Sequence, residues 1–218
     1  MGNTFYFEWE VALMQWIQSW FGPVGTVIAS LFSEMGEQLV CIAVLGFLYW
    51  SWEKEYGKYI GLNVLVGITL NPMIKNIFIR RRPYFDHPGI KCLKPVERGA
   101  DIYDISAQGY SFPSGHSTNA VTLYTSLGRY KKNRLLMILG IIVPLLVGVS
   151  RFCVGVHYPT DVTAIQKHLA ELDKLEGIYL YASNVNGDDS VEISDATAIQ
   201  LYLAEYSVPY SIGEVMTQ

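Results

Sequence analysis

Charge is scarce in this chain. Only 17% of its 218 residues are Asp, Glu, Lys or Arg, while 50% are hydrophobic. A soluble domain carries about a quarter charged residues, so the balance points to a membrane protein. No basic residue precedes Lys54, and the N-terminus therefore lacks the positive n-region of a secretory signal. Cysteine is sparse as well. Cys41, Cys92 and Cys153 share no motif spacing. Cys41 and Cys153 lie in apolar runs and read as packing residues, not as ligands or a disulfide framework. Four histidines occur (His87, His116, His157 and His168), and no His/Cys/Asp cluster has zinc spacing.

The charge that is present divides unevenly. Residues 1–161 hold 14 Lys/Arg against 11 Asp/Glu, and residues 162–218 hold 2 against 9. A basic, apolar part is followed by a short acidic one, which predicts two domains, 1–161 and 162–218.

Within the first part, residues 7–20 place Trp9, Trp16 and Trp20, with Leu13 and Ile17, on one helical stripe beside Glu8 and Glu10. That pattern predicts an interfacial helix with tryptophan at headgroup level. Residues 22–34 predict a short re-entrant or interfacial helix. Four further stretches predict spanning helices: 36–52, 57–79, 114–128 and 135–152. The third carries Ser, Thr and Asn and is expected to face protein. Pro72, inside 57–79, either kinks that helix toward Lys75 or is an ordinary membrane-helix proline. The turns at 53–58 and 129–134 contain Lys54, Lys58, Arg129, Lys131, Lys132 and Arg134. The positive-inside rule puts both in the cytoplasm, so loop 80–113 and residues after 152 are expected outside. Arg80-Arg81-Arg82 departs from that rule. Arg80 and Arg81 read most simply as interface cations that snorkel to the headgroups.

Three short motifs fall at ends of these apolar segments. The first is Lys75, six residues, then Arg82-Pro83. The second is Pro113-Ser114-Gly115-His116. The third is Ser150-Arg151, five residues, His157, three residues, Asp161. Together they supply three cations, a hydroxyl, a backbone amide at glycine, two imidazoles and a carboxylate. Arg82 and Arg151 suit bidentate phosphate contact and Lys75 acts as a point charge. Ser114 and Gly115 open a helix, where free amides favour anions, although Ser114 also fits a plain N-cap.

This set resembles the tripartite signature of the type 2 phosphatidic acid phosphatase and vanadium haloperoxidase superfamily, across roughly residues 5–161. The resemblance implies an all-α, polytopic membrane bundle that hydrolyses a lipid phosphate through a phosphohistidine without a metal cofactor. It implies Lys75, Arg82, Ser114, Gly115 and Arg151 as the phosphate cradle. It implies His157 as nucleophile, oriented by Asp161, and His116 as general acid and then base. Expected substrates resemble phosphatidic acid or a polyprenyl diphosphate, in the plasma membrane, and no nucleic acid is involved.

After Asp161 an internal repeat appears. Residues 161–172 match residues 195–206 at eight of twelve positions, at an offset of 34. Between them, residues 184–195 place Asn184, Asn186, Asp188, Ser190, Glu192 and Asp195 at the ligand spacing of a twelve-residue EF-hand loop. This tail resembles a partial type I dockerin, which implies calcium as its ion and a cohesin domain as its partner. It departs from that pattern at Asn184 in position 1 and at Asp189, where glycine is wanted. Its first calcium loop is replaced by the phosphatase motif ending at Asp161, as in a crossover between two genes or a misassembled sequence. The family's usual last helices are missing. Two other readings remain: a membrane anchor carrying a docking module on an inactive phosphatase domain, and a vanadate-dependent peroxidase, against which membrane helices and short length weigh.

Overall fold

A computed structural model of the chain describes residues 5–163. The expected dockerin-like module, its calcium ligands and its cohesin partner fall on residues outside that range. All regular structure among the described residues is helical, as the hydropathy pattern predicts.

Helix α1 (Glu8–Trp20) starts with the Glu10 carboxylate accepting from Phe7 N at 3.1 Å, while Glu10 N donates to the Phe7 carbonyl at 3.0 Å. The predicted tryptophan stripe is its outer face: Trp9, Trp16 and Trp20 are exposed, while Glu10, Val11 and Met14 are buried. Helix α2 (Pro23–Glu34) opens on proline, whose missing N–H costs nothing in a first turn. A break at residues 35–37 leads into α3 (Gln38–Phe47), which continues as a π-helical turn, Leu48–Trp52. Helix α4 (Lys54–Phe78) runs past Pro72 and ends where Ile79 turns left-handed, at φ 43°. Two single turns, α5 (Pro83–Asp86) and α6 (Ile105–Gln108), lie in the connection to α7 (Gly115–Lys131). Asn133 then caps α8 (Arg134–Cys153), its side chain accepting from Leu136 N at 3.1 Å.

Four spanning helices were expected, and the structure corrects the number. By length and composition α4 and α8 are able to cross a membrane, and α2 with the 38–52 segment, bent by 45° at the break, makes a third if counted as one span. Helix α7 is the difference. Its 17 residues reach about 26 Å at 1.5 Å each, short of a bilayer core of about 30 Å. It is also too polar for lipid. Ser117, Thr118, Thr122 and Ser126 are buried along it, and it packs against both α4 and α8.

Small residues permit that packing. A Cβ on Gly67 of α4 would lie 2.8 Å from Thr122, and one on Gly140 of α8 would lie 2.7 Å from the Tyr124 carbonyl. Outward, α8 exposes Leu135, Ile138, Ile141, Ile142, Leu145 and Val149, an apolar face suited to lipid. Because α7 runs antiparallel to α4 and α8, the C-terminal ends of α4 and α8 meet the N-terminal end of α7. All three motifs therefore fall at one end of the bundle.

Candidate active site

Each motif reaches the site from a helix end, where backbone groups and side chains point away from the apolar flank. Lys75 sits in the last turn of α4, Ser114 is the N-cap of α7, and Arg151 sits in the last turn of α8. A backbone hydrogen bond from Ser114 N to the Asp161 carbonyl, at 3.0 Å, ties the second motif to the third. Asn71 of α4 fastens the first to the second, donating to the Pro113 carbonyl at 3.3 Å and to Thr118 Oγ1 at 3.0 Å.

The structure brings together the residues predicted for the cradle and the chemistry. Arg82, Ser114, Arg151, His157 and Asp161 are all at most 3% exposed, so they form a buried cluster and not a surface patch. Arg82 is fixed by the carbonyls of Gln108 and Gly109, each at 3.0 Å, and of Val156 at 2.9 Å. Lys75 donates to the Tyr110 carbonyl at 2.6 Å. Arg151 donates to Ser33 Oγ of α2 at 2.5 Å, while its Nε is buried with no hydrogen-bond partner among the described residues. A buried orphan donor on a cation is a ready contact for an anion. Ser114 accepts from Ser117 N at 3.4 Å and from Ser117 Oγ at 3.0 Å. Ser114 therefore serves as the N-cap of α7, and its own hydroxyl proton is left to donate.

The histidines differ in setting. Arg82 Nη1 lies 3.3 Å from His157 Nε2. A guanidinium only donates, so Nε2 is the acceptor and the ring proton sits on Nδ1. That Nδ1 lies 3.5 Å from Asp161 Oδ2, longer than a formed hydrogen bond and within the reach that catalytic contacts close on binding. Burial pushes His157 well below the usual imidazole range, helped by Arg82, Lys75 and Arg151. It is thus held neutral, with the Nε2 lone pair turned to the Arg82 guanidinium. Burial pushes the Asp161 carboxyl up, and Arg80 opposes that shift. His116, the second residue of α7, places Nε2 2.9 Å from Glu37 Oε1. Glu37 lies in the α2–α3 break, where a Cβ on Gly36 would sit 2.5 Å from the His116 carbonyl.

Two expectations need revision. Arg80 does not snorkel. It is 0% exposed and donates to Asp161 Oδ1 at 2.6 Å and to Glu10 Oε2 at 3.0 Å. Arg81 does fit a surface role, pairing with Asp86 at 3.1 Å. Glu10 is not an interfacial carboxylate but is buried beneath the site. Its signal was available: Glu10 falls on the helical face of Val11 and Met14, opposite the tryptophans. Ser33, Glu37 and Asn71 had no sequence signal, because each earns its place through a contact distant in the chain.

A buried cluster of cations around a neutral imidazole, at one end of an apolar helical bundle, is an anion-handling site of a membrane protein. The chain belongs to the PAP2 superfamily, whose pattern matches residues 56–164. It is 33% identical over 138 residues to an undecaprenyl-diphosphatase of Sulfolobus acidocaldarius, covering 61% of this chain and 59% of that protein. It is 30% identical over 128 residues to undecaprenyl-diphosphatase BcrC of Bacillus subtilis, covering 57% of this chain and 60% of that protein. The alignments thus span about three fifths of the length of each of these curated relatives. The crystal structure of Aquifex aeolicus LpxE superposes with a TM-score of 0.63 at 25% identity, covering 76% of this chain and 92% of that one.

Proposed function

We propose that this chain is a membrane lipid phosphatase that hydrolyses a phosphomonoester or diphosphate lipid through a phosphohistidine at His157. The observation that carries the reading is the buried His157 ring, its unprotonated Nε2 facing Arg82 at 3.3 Å and its other face toward Asp161. Family membership and the resemblance to two undecaprenyl-diphosphatases support a lipid diphosphate or a related lipid phosphate as substrate.

In the first step Nε2 attacks phosphorus, the bond from phosphorus to the leaving oxygen breaks, and His116 gives that oxygen its proton. The imidazole becomes cationic as the N–P bond forms, and the Asp161 carboxylate faces that charge. In the second step His116 takes a proton from water, the hydroxide attacks phosphorus, and the N–P bond breaks to release phosphate and neutral His157. Lys75, Arg82, Arg151 and the Ser114–Gly115 helix start stabilise the charge on the non-bridging oxygens throughout. No metal enters either step.

The basic end of the bundle, with Lys54, Lys58, Lys131, Lys132 and Arg134, supports a cytoplasmic location for that end and an extracytoplasmic active site in the plasma membrane. The acidic tail then emerges on the same side. There its EF-hand-like spacing suits a calcium-dependent docking module for a cohesin-type partner.

The test is hydrolysis of undecaprenyl diphosphate and of phosphatidic acid by the detergent-solubilised full chain in excess EDTA. Phosphate release from either, abolished in His157→Ala, is the expected result. A folded, inert wild type would instead leave a membrane anchor without catalysis.

A further inference from the structure

Behind His157 lies a charge network that the two-step chemistry above does not use. Arg80 is wholly buried, and four of its five N–H donors are taken by side chains or carbonyls: Nε by the Phe5 carbonyl at 3.0 Å, Nη1 by Thr160 Oγ1 at 2.8 Å and Asp161 Oδ1 at 2.6 Å, and Nη2 by Glu10 Oε2 at 3.0 Å. The Phe5 and Tyr158 rings stack on its guanidinium, at 4.5 and 4.0 Å. Glu10 accepts from four donors: Arg80 Nη2, Phe7 N at 3.1 Å, Thr160 N at 3.0 Å and Thr160 Oγ1 at 2.6 Å. A carboxyl that only accepts is a carboxylate. Asp161 accepts from Arg80 on one oxygen and from Tyr158 N, at 2.7 Å, on the other. Two carboxylates therefore share one guanidinium, and the cluster carries one net negative charge.

We propose that Arg80 and Glu10 are positioning residues of the reaction: Arg80 holds Asp161 ionised and aimed at His157, and Glu10, by sharing that guanidinium, leaves a net negative charge facing the imidazole as it becomes phosphorylated. The proposal rests on the phosphohistidine reading above. A cation alone behind Asp161 would cancel the charge that stabilises the ring. A carboxylate alone, fully buried, would take up a proton. The triad Glu10–Arg80–Asp161 avoids both. A lysine at position 80 lacks the planar fork that spans two carboxylates. Glu10 lies on α1, outside the residues 56–164 that define the family, so this chain's N-terminal helix becomes part of the catalytic end.

Every charged element around the ring enters the test. Lys75 of α4, Arg82 before α5, His116 of α7 and Arg151 of α8 all disfavour a protonated His157, while the Asp161 carboxylate, 3.5 Å from Nδ1 and backed by Glu10, favours it. Glu10→Gln keeps the shape and removes one negative charge. It is expected to slow formation of the phosphoryl-enzyme about tenfold and to move the acid limb of the kcat/KM–pH profile to lower pH, with a smaller change in KM. Arg80→Met is expected to cost about 10²-fold or more in the wild-type background, Arg80→Lys less. In an Asp161→Asn background, where there is no carboxylate left to hold, the same Arg80→Met change is expected to cost under about threefold.

A network that is only structural gives the opposite pattern. Glu10→Gln would then lower melting temperature with an unmoved acid limb, and Arg80→Met would cost the same in both backgrounds. Either result overturns the proposal. An inert wild type overturns the phosphatase reading and this one with it, whereas an active wild type with an unmoved limb overturns this one alone.

Discussion

The two ends of the bundle use the same residue types and put them to different ends. At the far end Lys58 pairs with Glu55 at 2.6 Å with both side chains more than half exposed, and Lys131 meets a half-exposed Glu53. At the motif end Glu10, Arg80 and Asp161 form pairs of similar length, 2.6 and 3.0 Å, at 0% exposure. Distance does not separate the two ends; burial does. Exposed pairs are screened by solvent and contribute little. Buried charges must be matched donor for acceptor, and a match that complete fixes geometry. The far end presents its charges to solvent, while the motif end holds the His157 and Asp161 side chains in place.

The comparison can be broken most sharply at His157. His157→Ala should lower hydrolysis at least about 10⁴-fold, because it removes the nucleophile of the proposed covalent step; a quantitative phosphate-release assay checks it. Next is His116→Gln, expected to cost about 10²–10³-fold on a lipid monophosphate and less on a substrate with a better leaving group, since the acid serves the leaving oxygen. Comparing kcat on the two substrates reads this out. Ser33→Ala removes the oxygen that holds Arg151 and should raise KM about three- to tenfold with a smaller change in kcat. The pH profile sharpens the electrostatic side. His157 is held below the ordinary imidazole range by burial and three neighbouring cations. Its active neutral form should therefore persist on acidification, with the acid limb falling below about pH 6.5. The smallest effect belongs to the far end. Lys58→Ala should leave rate and melting temperature in detergent unchanged, and a clear loss there would mean that exposed pairs matter as buried ones do.

The gathering of the three motifs at one end was legible in the sequence, and the reason is local. Lys75, Arg82, Ser114, His116, Arg151, His157 and Asp161 stand at fixed spacings beside apolar runs, and antiparallel helices bring alternate loops to one face. The spanning count was not legible. The Ser, Thr and Asn of α7 did signal a protein-facing helix, and Ser117, Thr118, Thr122 and Ser126 are buried as expected, but the pattern does not reveal that α7 is only 17 residues long or that α2 meets the 38–52 segment at a 45° bend. Arg80 was misread because three consecutive arginines look alike in a sequence. Which of them turns inward depends on Glu10, Thr160 and Asp161, at separations of 70 to 81 residues. Glu37 and Ser33 were invisible for the same reason: each becomes part of the site only when the α2–α3 break packs on the start of α7 and the end of α8.

The most direct test of the central claim is a rapid-quench experiment on the solubilised full chain with phosphorus-labelled lipid substrate and alkaline work-up. The account predicts a transient, acid-labile label on the peptide containing His157, absent from His157→Ala. Product formation by wild type with no label at any time, or a label on another residue, would contradict it.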